Sequence, residues 1–160
     1  MRISEKAVPA EEIAELTAFA ESVYVLLAKE KPNADPIDVI DEILYVWQQS
    51  GTIPVAELES NQLIYALGTL WGNILIKQYH WSWATLTFHE FNDWEGRAVV
   101  AADGSLCILP FAYIHICLAG DDEVKISASL VALGANIIPS FPPNSFEDVM
   151  NGLQRIVPRG

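Results

Sequence analysis

The chain has 160 residues and a mass of 17.7 kDa, the size of one domain, since domains commonly run to about 100–200 residues. Hydrophobic residues make up 51% and charged residues 19%, which excludes intrinsic disorder, a state that needs low hydrophobicity and high charge. Nine Lys and Arg against 21 Asp and Glu give a net charge of −12, so no nucleic acid is expected as a partner, because affinity for phosphates comes from basic side chains.

The N-terminal run MRISEKAVPAEE is charged and has no apolar centre, unlike a secretory signal. No stretch approaches about 18 uninterrupted apolar residues, so no membrane association is expected. Cys107 and Cys117 are the two cysteines and lack CxxC spacing, which points to buried thiols in a reducing, cytoplasmic setting.

From Pro9 to about Lys31, the residues Ile13, Leu16, Phe19, Val23, Leu26 and Leu27 recur at three- and four-residue steps, the stripe of an amphipathic helix that Pro32 stops. A second helix has Asp35 as N-cap, Pro36 at its first position and Gly51 past its end. Its expected buried side is Ile37, Ile40, Ile43, Leu44 and Trp47. A third spans Ser60 to about Tyr79 on Leu63, Leu67, Leu70, Trp71, Ile74 and Leu75. Gly68 and Gly72 lie one turn apart within it, each costing up to about 1 kcal/mol relative to Ala. Close approach of another backbone is the expected compensation.

The period then changes. Trp81 to Phe91 alternates Trp83, Thr85, Thr87 with Ala84, Leu86, Phe88, and both sides are apolar enough for a strand covered on two faces. Asn92, Asp93 and Gly96 mark a turn, and a second strand follows over Arg97 to Ala102. Asp103-Gly104 is a hairpin signal, and a third strand runs from Ser105 to Leu109 until Pro110 ends it. FAYIHICLAG reads as a short helix, and Asp121 and Asp122 as caps of another over Val124 to Gly134. IIPSFPPNS is a proline-fixed loop, and Asn144 or Ser145 caps a last helix to about Ile156. The expected fold class is α+β as a single domain: three N-terminal helices, a three-stranded antiparallel β-meander and short C-terminal helices.

The runs LGTLWGNILIKQYHWSW and GRAVVAADGSLCILPFAYIHICLAGDDEVKI carry Leu67, Gly68, Gly72, Leu75, Trp83, Gly104 and Pro110 in a spacing that resembles a family of small uncharacterised bacterial domains, domain of unknown function thirty-eight-oh-six. The likeness covers about residues 60 to 133 and departs from the family pattern at the apolar His115-Ile116-Cys117. Its motifs are packing motifs, so it implies a fold and no activity. Small acidic helix-plus-meander proteins are also similar to immunity proteins, which neutralise bacterial toxins; this is an analogy at the level of fold.

No metal spacing such as HExxH or paired CxxC links His80, His89, Glu90, Asp93, Cys107, His115 and Cys117. There is no GxSxG elbow and no Gly-rich phosphate cradle. No catalytic residue, metal or cofactor is therefore assigned. The charge distribution is more informative, because no Lys or Arg lies between Lys31 and Lys77 while six carboxylates, including Glu57 and Glu59, do. Asp38, Asp41 and Glu42, three and four residues apart, form an acidic face on the second helix, a solvated surface or a docking site for a basic partner. Asp121-Asp122-Glu123 reads as a cap. Trp81 and Trp94, near element ends, are the candidate exposed anchors.

The function expected from these features is a non-catalytic, cytoplasmic protein-binding protein, an immunity-type inhibitor of a basic toxin, with Asp38, Asp41, Glu42, Trp81 and Trp94 as its partner-binding residues. One alternative is a small-molecule-binding or hydrolytic domain with a pocket between meander and helices, which would gather His80, His89 and Glu90 into one cleft. Another is a structural homodimer built on the Gly68–Gly72 helix or a strand edge.

Overall fold

The computed structural model describes residues 2–29, 33–51, 58–120 and 125–151. In chain order the elements are β1 (Ile3–Ala7), α1 (Ala10–Leu27), α2 (Pro36–Ser50), α3 (Ser60–Tyr79), β2 (Ser82–Phe88), a 3-10 turn (His89–Phe91), β3 (Trp94–Val100), β4 (Leu106–Ile108), α4 (Pro110–Leu118), α5 (Ser127–Ala135) and β5 (Glu147–Asp148). Helical backbone resumes at residues 149–151. The fold is α+β, but its sheet has five strands in the order β1-β2-β3-β4-β5, not three.

The expected meander is the middle of that sheet, where β2, β3 and β4 pair antiparallel. Each flank adds a strand that no local pattern announces. On one side β1 pairs antiparallel with β2, Ile3 opposite Phe88 and Ala7 opposite Ala84. On the other, β5 pairs parallel with β4, Cys107 opposite Asp148. ISEKA has no apolar alternation and β5 is two residues long, so both strands exist because a finished sheet edge offers them backbone partners.

Local chemistry accounts for the helix ends. The Asp35 carboxylate accepts from Ile37 N–H at 3.1 Å, Pro36 opens α2, and Gly51 closes it at φ 67°. At the start of α3, Gln62 Oε1 accepts from Glu59 N–H at 3.0 Å as half of a capping box. Leu26, expected inside, is 52% exposed, and α1 buries only Ala20 and Val23 fully. α1 stops at Leu27, short of the expected Lys31, where Ala28 N–H still reaches Tyr24 O, and α5 starts at Ser127, not Val124. Lys31, Pro32, the Asp121 and Asp122 caps, the Asp121-Asp122-Glu123 cluster, Glu57 and the Ile156 end of the last helix lie outside the described residues. Asn144 does not cap that last helix. It takes a left-handed φ of 62° against Gly104, and Asp148 accepts from Met150 N–H instead, at 2.9 Å.

Two apolar clusters flank the sheet. The larger joins Leu63, Leu67, Trp71 and Leu75 of α3 to Trp83, Val99 and Ile108 of the sheet and to Ile40 and Ile114 of α2 and α4. The smaller, on the opposite sheet face, holds Ala84, Leu86, Ala98, Val100, Cys107 and Phe146. Gly68 and Gly72 point into the first cluster. A Cβ on Gly68 would strike the Phe111 ring and one on Gly72 the Trp83 indole, each under 3.0 Å, so aromatic rings fill most of the space they leave. The expected backbone approach occurs at Gly68, where the Phe111 N of α4 would lie 3.3 Å from that Cβ. That position turns the pair inward, and both glycines are buried. Gly96 lies within β3, outside the turn expected there, and the Trp94 ring covers it.

Candidate functional site

Successive turns of α2 point outward as Asp38, Glu42 and Tyr45, all exposed, Tyr45 at 60%. With Asp41, Lys125 and Ser127 they line an open groove of about 400 Å³ between α2 and the start of α5. The sequence places Asp38 and Glu42 correctly on a surface, one turn apart. Tyr45 was missed, although its position one turn beyond Glu42 carries the same 3.6-residue signal.

Asp41 has a different task from its neighbours. Its Oδ1 accepts from Ile126 N–H at 2.8 Å and its Oδ2 from Ser127 N–H at 3.3 Å. It therefore caps α5 from another helix, supplying acceptors to amides that no helical carbonyl reaches. Burial pushes its carboxyl above the ordinary value, while the two N–H donors and Lys125 pull the other way. The floor of the groove is thus structural, and its rim is exposed.

The two tryptophans separate. Trp81 is 8% exposed, packed in the core with its ring 6.4 Å from Tyr79, so it presents no anchor. Trp94 is 46% exposed, one ring face held by Phe88 at 5.4 Å and by Gly96. In β3 it alternates onto the side of Ala98 and Val100, the sheet face opposite the α3 core. The acidic rim and Trp94 therefore belong to different surfaces of the molecule.

His80 and His89 do not share a cleft. His80 is the left-handed C-cap of α3 and His89 follows Phe88, so β2 stands between them, roughly 20 Å of strand. Glu90 accepts instead from Arg2 N–H at 3.3 Å. Among the described residues, no group of three or more His, Cys, Asp and Glu is placed to hold a metal ion. Cys107 and Cys117 are both buried; burial, with Asp148 and Glu147 nearby, pushes the Cys107 thiol far up, leaving little reactive thiolate.

His89 pairs with Asp93, four residues on and near it in the sequence, and with Ser4, which the sequence did not announce. Ser4 Oγ lies 2.6 Å from its Nε2, and Asp93 Oδ1 lies 2.7 Å from its Nδ1. Ser4 was missed because it is 85 residues away, joined only by the pairing of β1 with β2. A second groove, of about 250 Å³, is lined by Glu12, Glu15, Leu16, Phe19 and Tyr65. Beside it Arg97 binds Glu12 through Nε and Nη2 and Thr85 through Nη1, tying α1 to the sheet.

No protein-family model matches the chain, and no curated protein or solved structure matches it. No helix among the described residues is long and apolar enough to cross a membrane.

Proposed function

We propose that this chain is a protein-binding protein of the immunity type, docking a basic toxin domain on the outward face of α2. The observation that carries the reading is the groove whose rim sets Asp38, Glu42 and the exposed ring of Tyr45 side by side. A net charge of −12 gives that rim a long-range field of matching sign, which steers a cationic partner and accelerates encounter. Tyr45 supplies the amphipathic anchor that concentrates binding energy at interfaces. The likeness of residues 60–133 to small uncharacterised bacterial domains belongs to the same reading and rests on the packing positions Gly68, Gly72, Trp83, Gly104 and Pro110. Cytoplasmic residence goes with it.

Pull-down at low and high salt identifies the partner, and titration of the purified pair tests the surface. Asp38→Lys with Glu42→Lys should weaken binding at least tenfold and flatten its salt dependence, and Tyr45→Ala should raise the dissociation rate. Asp41 stays unchanged in this test because it caps α5. Unaltered affinity in both variants removes the α2 face from the interface.

A further inference from the structure

We propose that Ser4, His89 and Asp93 form an acyl-transfer centre that cleaves small activated carboxylic esters, with Ser4 Oγ as nucleophile. A carboxylate can only accept, so the 2.7 Å contact with Asp93 Oδ1 fixes the proton on Nδ1 of His89. In the neutral imidazole Nε2 is then the lone-pair nitrogen, and it faces the Ser4 hydroxyl at 2.6 Å. This is the tautomer and the order of contacts in which imidazole draws a proton from a serine and a carboxylate holds the ring.

The backbone holds the three side chains firmly. Ser4 stands opposite Thr87 in the β1–β2 register. His89 N–H donates to Arg2 O at 3.2 Å, so the strand pairing that orients Ser4 continues to the histidine itself. Asp93 follows Asn92 with both at φ 55°, a left-handed pair without glycine, a conformation that costs energy and clusters at functional positions. Neither apolar cluster includes any of the three residues. β1 is the outermost strand of its side of the sheet. Since Arg2 and His89 are a hydrogen-bonded pair, alternation places Ser4 N–H toward β2 and Glu5 N–H on the open edge, a donor next to the nucleophile for a developing oxyanion.

The surroundings set the substrate class. Asp93 has a side-chain exposure of 71%, so the centre works in water, where charge stabilisation is weak. Activated esters, whose leaving group needs little help, fit such a centre better than amides. The surplus of carboxylates turns anionic substrates away, and Phe91 in the same turn, 59% exposed, offers an apolar contact. In the first step the Oγ–acyl bond forms, the ester C–O bond breaks, and the Ser4 proton passes through Nε2 to the departing alcohol. Water then attacks the acyl-serine, its proton goes to Nε2 and on to Ser4 Oγ, and the acid leaves.

The test uses the full chain with two probes, a fluorophosphonate and p-nitrophenyl acetate. The expected result is one phosphonyl adduct on Ser4 with release of fluoride, absent in Ser4→Ala and formed about a hundredfold more slowly in His89→Gln, the scale of a lost general base. Asp93→Asn should slow both probes while leaving the melting temperature unchanged. Labelling elsewhere than Ser4, labelling of His89→Gln at the wild-type rate, or ester hydrolysis undiminished in Ser4→Ala overturns the proposal, and none of these results touches the α2 docking surface.

Discussion

Trp47, Trp71 and Trp83 each carry an indole N–H inward, and each finds an acceptor: Leu118 O at 2.7 Å, Ser129 Oγ at 3.1 Å and Asn73 Oδ1 at 3.0 Å. Asn73 in turn donates to Thr17 at 3.0 Å, so one amide joins α1, α3 and β2. Thr69 is the exception among the described residues, a buried hydroxyl with no partner. An unmade hydrogen bond leaves its desolvation uncompensated. Thr69→Val keeps the shape and removes the hydroxyl, so it should stabilise the protein by about 1 kcal/mol, read as a higher urea midpoint with an unchanged m-value. A lower midpoint would mean that the hydroxyl is satisfied in solution.

At the scale of elements, α3 is the spine, and its two glycines set how closely the sheet and α4 approach it. A methyl at Gly72 would meet both Trp83, held by Asn73, and Val99. Overpacking costs about 1–3 kcal/mol, more than the roughly 1 kcal/mol that alanine returns in helix propensity. Gly72→Ala should therefore lower the melting temperature. Gly68→Ala should lower it less, because half-buried Phe111 has more room to turn. What the sequence made legible follows the same division. α2 could be read residue by residue, since Asp35, Pro36 and Gly51 act on their own neighbours. The capping role of Asp41 and the pairing of His89 with Ser4 could not, because Ile126 and Ser4 are each 85 residues away. Trp81 misled because a position at an element's end says nothing of what packs over it.

Over the whole molecule, burial of carboxylates shapes the response to pH. Burial raises the Asp148 carboxyl to about 6, against two N–H donors that lower it, and raises Asp41 as well. With Asp148 raised to about 6, the folded state binds more protons than the unfolded chain between about pH 4 and 6, so this contribution is full below that window and is lost as pH rises through it, and Asp41 acts in the same direction. For Asp148 the loss is on the order of 3 kcal/mol at most. Asp148→Asn keeps an acceptor for the Met150 amide and removes the charge. It should be more stable than wild type at pH 7.5, with the two stability curves converging near pH 4. A difference that does not change with pH would show that Asp148 stays ionised in the folded protein. The α+β class was legible from periodicity alone, whereas the five-stranded sheet was not, because its outer strands draw their stability from edges built elsewhere.

The strand made first is thus completed late. Ile3 pairs with Phe88, and at the pace of synthesis, about 5–20 residues per second, β1 waits roughly ten seconds for its partner. A one-residue slip on docking would turn Ile3 and Ala7 to the wrong face. The order of synthesis therefore separates the two surfaces of this protein: Ser4 can meet His89 once Asp93 has been made, while the α2 groove waits for Lys125 and Ser127 at the start of α5.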